Sequence, residues 1–304
     1  MSRVWLVTGA NSGFGRAITE AAVAEGDVVV ATARRVGTLD EVVAAHGGKV
    51  EALPLDVTDT AAAHDVVRQV VDRHGRIDVL VNNAGRTHVG AVEETTDAEL
   101  RSLFDVHLFA PATLTRAVLP HMRARRSGAV VQLSSMGGQL SFAGFGAYSA
   151  TKFALEGMSE ALADEVRPLG IKVLIVEPGS FRTGLFGNKS ESGEITGAAD
   201  YADTVGATRR MVASGDGSQP GDPAKAAAAI LAALNADDTP LRLALGDDAI
   251  DAVLGHLDTV RADIIAWEKI GRDTRLTWSR RQGRPAHIRD APAVSRTSRT
   301  TGTS

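Results

Sequence analysis

The chain has 304 residues, 44% apolar and 23% charged, which is long enough to bury a sizeable core in the manner of an ordinary globular protein. A formal net charge of −4 offers no footing for a nucleic-acid partner, and the absence of cysteine excludes a disulfide framework and any thiolate metal site. No apolar stretch approaches the roughly 20 residues of a membrane span, and no signal-peptide pattern opens the chain, so a cytoplasmic protein without a metal is expected.

Residues 4–8 are a continuous apolar run rich in β-formers that stops at Gly9, the pattern of a strand buried on both faces. The stretch TGANSGFG follows from Thr8 to Gly15, then a helical pattern to about Glu25. Gly9, Gly13 and Gly15 permit a tight turn and backbone close to a phosphate, and the helix N-terminus offers free N–H groups to a pyrophosphate. Asn11, Ser12 and Phe14 belong to the same turn. A purely structural glycine turn looks alike, but its place between strand and helix favours dinucleotide binding.

A second strand over 28–33 leads to Arg34 and Arg35. An NAD site usually carries an acid here for the ribose 2′-hydroxyl; none is available, and a guanidinium at Arg34 can pair with a 2′-phosphate. NADP(H) is therefore favoured over NAD(H), the alternative being a solvated arginine loop. A third strand over 50–55 ends in Asp56 and Val57, with Asp56 placed to accept from an adenine amino group or to act only as a turn residue. A helix capped by Thr58 or Asp59 runs to about His74. The fourth strand, 77–81, closes on Asn82, Asn83, Ala84 and Gly85, small residues that suit either a close-passing ligand or a plain turn.

A long amphipathic helix opens at Asp97, and Pro111 inside it predicts a kink or break. His107 lies near its middle, where histidine is ordinarily a packed or surface residue. A fifth strand over 129–133 delivers Ser134 and Ser135. The next helix places Tyr148 and Lys152 four apart on one face. An ammonium there is expected to pull the phenol down from its reference of about 10 toward neutrality, making it a usable general acid or base. Chance also supplies such pairs. A sixth strand over 172–176 precedes Pro178, Gly179 and Thr183.

This alternation predicts a single-domain α/β fold, a doubly wound parallel sheet of about seven strands (a Rossmann fold). Ligands in such sheets bind beyond the carboxyl ends of the strands, where Gly9, Asp56, Asn83, Ser135 and Pro178–Gly179 all fall. Residues 184–219 read as a polar substrate loop and lid. A helix from 223 to about 234, a seventh strand over 241–245 and an amphipathic helix from 247 to about 270 follow. The last helix carries Leu254, Leu257, Val260, Ile264 and Trp267, a face able to pack on the lid or cover the substrate. The domain is expected to span 1–275, with 276–304, six arginines to one acid, as a disordered basic tail.

In motif order and spacing the first 185 residues or so resemble the short-chain dehydrogenase/reductase family. The matching pieces are T-G-x-x-x-G-x-G from Thr8, N-N-A-G from Asn82, Ser135, Y-x-x-x-K from Tyr148 and P-G at Pro178. The resemblance implies that Tyr148 is the acid/base, Lys152 lowers its pKa and binds the nicotinamide ribose, and Ser135 orients the substrate oxygen. It also implies that Thr183 contacts the carboxamide or phosphates, and that the chain forms a dimer or tetramer. The wider phrasing is similar to the hydroxysteroid and retinol dehydrogenase-like branch. His107 stands where the family's tetrad often has an asparagine that holds a water linking lysine to solvent. Neutral imidazole both donates and accepts, so this relay is expected to survive; a weakened relay with a histidine limb in the pH profile is the alternative. The implied reaction is hydride transfer between NADP(H) and a secondary alcohol or ketone. Small residues at Gly137, Gly138, Ala143 and Gly144 and the apolar last helix point to a lipophilic substrate. A catalytically silent dinucleotide-binding regulator is the competing function, and an anionic partner of the arginine tail is a third.

Overall fold

Apolar runs with both faces to cover cannot pair at the surface, and the chain stacks them in the middle of one sheet. The computed structural model describes residues 2–185, 190–191, 198–215 and 217–275. The strands are β1 (Val4–Thr8), β2 (Val28–Ala33), β3 (Val50–Pro54), β4 (Val79–Asn82), β6 (Gly128–Leu133), β7 (Ile171–Pro178) and β9 (Arg242–Leu245). They form a seven-stranded sheet in the order β3-β2-β1-β4-β6-β7-β9, and every pairing is parallel. The chain steps outward from β1 to β3 and then returns to the other side of β1 with β4. That reversal opens a crevice between the turns after β1 and β4.

Side chains alternate across the sheet, so successive residues enter different cores. Leu6, Val30, Leu80 and Val130 pack with α3 (Thr60–His74), α5 (Ala110–Arg125) and the C-terminal half of α6 (Gly146–Val166). Trp5, Val7, Val29, Val81 and Leu174 pack instead with α1 (Gly13–Ala24), α2 (Asp40–Ala45) and α8 (Pro223–Asn235). Both layers hold the carboxyl ends of the strands at a single edge.

The long helix expected from Asp97 is divided. Helix α4 (Asp97–Phe104) passes into a π-helical segment, Asp105–Phe109, before α5 begins. Ala110 N–H donates to Asp105 O, five residues back. Pro111 supplies the cause: it has no N–H, and its ring crowds the carbonyl of residue 107, so the ladder shifts by one residue.

The segment after β7 also departs from expectation. Residues 186–189, 192–197 and 216 of the anticipated loop lie outside the described residues, but its later part is helical, as a 3₁₀ turn (Ala198–Tyr201) and α7 (Val205–Gly215). A short parallel pair, β5 (His88–Val89) and β8 (Ser190–Glu191), forms a separate two-stranded sheet.

By contacts the chain divides into two units, Met1–Asp258 and Thr259–Ser304, with the division inside α9 (Asp247–Arg272). Ala249 and Val253 are buried in the first unit. The apolar face expected to pack over the lid or substrate is exposed: Leu254, Leu257, Val260, Ile264 and Trp267 all face solvent. Amphipathic spacing marks such a face without supplying anything to cover it. The arginine-rich segment 276–304 lies outside the described residues. Among the described residues, no helix is long and apolar enough to cross a membrane.

Two glycines separate a geometric requirement from mere tolerance. A Cβ at Gly15 would overlap the carbonyl of Gly9 and crowd Asn83 Nδ2 at 2.5 Å, whereas one at Gly157 on α6 would meet nothing within 4 Å. Gly15→Ala is expected to cost about 1–3 kcal/mol, as overpacking does. Gly157→Ala is expected to gain up to about 1 kcal/mol from helix propensity. Denaturant midpoints of the two variants against wild type check both signs.

Candidate active site

The first turn at the sheet edge is built from hydroxyl, amide and glycine. Thr8 Oγ1 accepts from Asn83 N at 2.9 Å and from Ala84 N at 3.0 Å, and donates to Val81 O at 3.2 Å. Asn83 Nδ2 donates to the carbonyls of Thr8 (2.8 Å) and Gly9 (3.1 Å). The Asn83 amide is thus engaged in shaping the glycine turn. Gly9 and Gly13 lie in the left-handed region, at φ +62° and +52°, which favours glycine. Asn11 and Ser12 are exposed, Ser12 makes no side-chain cap, and the first turn of α1 carries no acid. The N–H groups of that turn are therefore left to an external acceptor, and an anion fits them.

The loop after β7 closes over this turn. A Cβ at Gly13 would lie 2.9 Å from Thr183 Cβ, and the rings of Phe14 and Phe181 are 5.1 Å apart. Asp248, which the sequence reading passed over, holds the loop from behind. Its Oδ2 accepts from Ser180 N at 2.8 Å, and its carboxylate fills the space a side chain at residue 179 would need. Gly179 N donates to Leu245 O at 2.9 Å.

At the adenine end, Asp56 Oδ1 accepts from Thr58 N (3.0 Å) and Thr58 Oγ1 (2.7 Å), a turn of its own making next to Val57. These hydrogen bonds hold its carboxyl below the usual range, and Arg34 adds to the effect. Arg34 and Arg35 are exposed beyond β2.

Ser135, Tyr148 and Lys152 converge where β6 ends. Ser135 begins a 3₁₀ turn, Met136–Gly138, and its Oγ accepts from Gly137 N at 3.0 Å. Tyr148 is buried, and a Cβ at Gly137 would lie 3.3 Å from both Ser135 Oγ and Tyr148 Cε1, which places the two side chains side by side. Lys152 Nζ donates to Leu133 O at 2.7 Å and sits 5.7 Å from the centre of the Tyr148 ring.

The tyrosine pKa moves opposite to the sequence expectation. Burial pushes the phenol up to about 12, and the hydrogen bond from Ser135 opposes it. Burial likewise brings Lys152 down to about 8, opposed by Glu156. With these shifts the amine titrates before the phenol, so the lysine can favour a phenolate only while it keeps its proton.

His107 is buried between the two halves of the site. Its Nε2 accepts from Arg86 N at 3.2 Å, which leaves the proton on Nδ1, 2.8 Å from Thr151 Oγ1. Thr151 Oγ1 in turn donates to Tyr148 O at 2.7 Å, and the imidazole stands edge-on to the Tyr148 ring at 5.5 Å. Both ring nitrogens are engaged within the protein. Burial, Lys152 and Arg86 hold its pKa well below 6.5, so no histidine limb at neutral pH follows.

Helix α7 is clasped near the mouth of the site. Arg209 Nη2 pairs with the buried Glu94 at 2.9 Å, Tyr201 Oη donates to Glu93, and Thr208 Oγ1 donates to Ala143 O at 2.7 Å. Among the described residues no cluster of His, Asp and Glu is placed to hold a metal ion.

A histidine with a depressed folded-state pKa stabilises the fold fully above its unfolded value and loses that contribution as pH falls. For His107 the loss begins as pH falls through its unfolded value near 6.5 and grows below it. Thermal melts between pH 7.5 and 5.5 are expected to show a shallower decline in His107→Asn than in wild type. His88, also lowered by burial, contributes equally to both and cancels.

Comparison with known proteins bears on the fold and the family. A family model described as short chain dehydrogenase matches residues 3–194. A short-chain dehydrogenase structure from Streptomyces avermitilis is 63% identical, with a TM-score of 0.85, covering 90% of this chain and 98% of that one. A 3-ketodihydrosphingosine reductase of Bacteroides thetaiotaomicron is 41% identical over 66% of this chain and 72% of its own length. A metagenomic short-chain oxidoreductase solved in complex with NADP is 37% identical, with a TM-score of 0.56, covering 60% of this chain and 85% of that one. With its seven-stranded parallel sheet, its glycine turn and its tyrosine–lysine helix, this chain belongs to the short-chain dehydrogenase/reductase family.

Proposed function

We propose that the chain is an NADP(H)-dependent oxidoreductase that interconverts a ketone and a secondary alcohol. The observation that carries the reading is the convergence of Ser135, Tyr148 and Lys152 beside an uncapped helix N-terminus at one strand edge. The glycine turn of Gly9, Gly13 and Gly15, with Asn11, Ser12, Phe14, Ala84, Gly85, Val57, Pro178, Gly179 and Thr183 around it, is the cradle for a dinucleotide. When bound, the nicotinamide supplies or takes the hydride.

The rest is the work of this chain's residues. Ser135 Oγ donates to the substrate oxygen and fixes its direction. Tyr148 rests as the phenol, the proton-donating form, and delivers its proton to that oxygen as it gains charge; in the reverse direction it takes the proton back. Lys152 stabilises the phenolate left behind for as long as it remains an ammonium. His107, through Thr151, braces the helix turn that carries Tyr148.

The exposed Arg34 supports NADP(H), since a guanidinium recognises a 2′-phosphate and repels nothing there. The NADP complex of the metagenomic relative points the same way. The similarity to a 3-ketodihydrosphingosine reductase supports a lipophilic ketone. The presence of both Tyr148 and Lys152 counts against the catalytically silent alternative. Exposed Phe109 and Phe153 beside the long helices support a homo-oligomer.

Turnover over a panel of ketones from short-chain to long-chain lipid, with NADPH and NADH compared, tests the reading. Tyr148→Phe is expected to lose about 10²–10⁴-fold in kcat; near-normal turnover would overturn the mechanism. Arg34→Ala is expected to raise the Kd for NADPH about tenfold or more, the loss of one charge-assisted bond, and to leave NADH unchanged in a fluorescence titration.

A further inference from the structure

Behind the tyrosine–lysine pair lies a buried polar cluster with no part in the chemistry above. Glu156 follows Lys152 by four residues on α6, so Tyr148, Lys152 and Glu156 share one face over two turns. The Glu156 carboxylate accepts from Ser134 Oγ and Gln139 Nε2 and is 3.3 Å from Arg242 Nη2. Glu177, near the end of β7, accepts from the same Gln139 amide at 3.1 Å and lies 3.0 Å from Arg242 Nε. Arg242 Nη1 reaches Glu160, an exposed residue of α6, at 2.8 Å. A Cβ at Gly138 would overlap Glu156 Oε1, so the turn that carries Ser135 is seated directly on this carboxylate.

We propose that Glu156 is a positioning residue: it holds Lys152 as an ammonium inside the core and seats the turn over 134–139 that presents Ser135. The inference rests on the acid/base reading of Tyr148 and Lys152. Two buried carboxylates and one buried ammonium are each costly alone and tolerable together. Burial and the neighbouring Glu156 push the Glu177 carboxyl up to about 7. Glu177 therefore keeps its proton to near neutrality. The groups facing Lys152 are Tyr148 and Glu156 from α6, His107 from the π-helical segment and the Leu133 carbonyl of β6. Those facing Glu156 are Lys152 from its own helix, Ser134 and Gln139 from the turn after β6, Glu177 from β7 and Arg242 from β9.

Competitive acylation of the unliganded chain with acetic anhydride, read peptide by peptide by mass spectrometry, gives the titration midpoint of the Lys152 amine. Glu156→Gln is expected to lower it by about one unit, a tenfold drop in the ammonium-to-amine ratio at a given pH. Glu156→Asp keeps the charge and is expected to restore the wild-type midpoint. Glu177→Gln leaves the Glu156 side chain in place and is expected not to lower it. The alkaline limb of the kcat/KM profile moves with the labelling midpoint. If Glu156→Gln does not fold, Arg242→Gln is read instead: the guanidinium no longer competes for the Glu156 carboxylate, and the Lys152 midpoint is expected to rise. An unchanged midpoint in the folded variant, or equal shifts in Glu156→Gln and Glu177→Gln, overturns the proposal. A wild-type chain that turns over no ketone or alcohol overturns the proposed reaction instead and leaves the labelling result standing.

Discussion

An ammonium group inside a protein core has lost its water and must be compensated by fixed dipoles and charges. Lys152 is in that position, only 6% exposed, and much of the surrounding geometry answers to it. The Leu133 carbonyl at the end of β6 accepts a hydrogen bond from it, Glu156 supplies the opposing charge one turn along, and Arg242 pairs with both Glu156 and Glu177. The turn that begins at Ser135 lies directly over the same carboxylate. Serine, tyrosine and lysine thus share one polar foundation. A disturbance of the buried charges is transmitted to all three.

The other half of the site is held by a different logic. Around Gly9, Gly13 and Gly15 the interactions are short-range and neutral: a threonine hydroxyl, an asparagine amide and backbone groups, with side chains excluded where glycine stands. Nothing there needs a particular pH. The crevice therefore joins a binding half that is indifferent to protonation to a chemical half whose working form depends on it. His107 spans the two, with a donor from Arg86 on one side and Thr151 on the other, and stays neutral so that it disturbs neither.

Much of this was legible in the sequence, for reasons specific to each element. Val4–Thr8 and Val28–Ala33 are apolar runs bounded by glycine or arginine, and both strands occupy the expected residues. The motifs after β1, β4, β6 and β7 all fall at one edge because parallel pairing leaves no other arrangement. Pro111 announced a break in the long helix, but whether the ladder kinks or gains a residue depends on what packs against it. Helix α7 escaped notice because its Gly, Ser and Thr content is poor helix material, and ion pairing of Arg209 with Glu94, far along the chain, helps to hold it. Burial of Tyr148 reversed the expected pKa shift, and burial is not written in the spacing of two residues. Glu156 was in phase with Tyr148 and Lys152 and could have been found from that alone. Its partners Glu177 and Arg242 come from other strands and could not.

The contact of Gly13 with Thr183, and of Phe14 with Phe181, joins positions separated by most of the catalytic sheet. Closing so long a loop is entropically costly, and non-local contacts of this kind slow folding. On a ribosome the glycine turn would emerge early but would stay open on one side until β7 and its following loop had been synthesised. Asp248, which braces that loop, arrives later still. The crevice is thus among the last features to form, so fragments that retain the glycine motif would lack the wall that completes it.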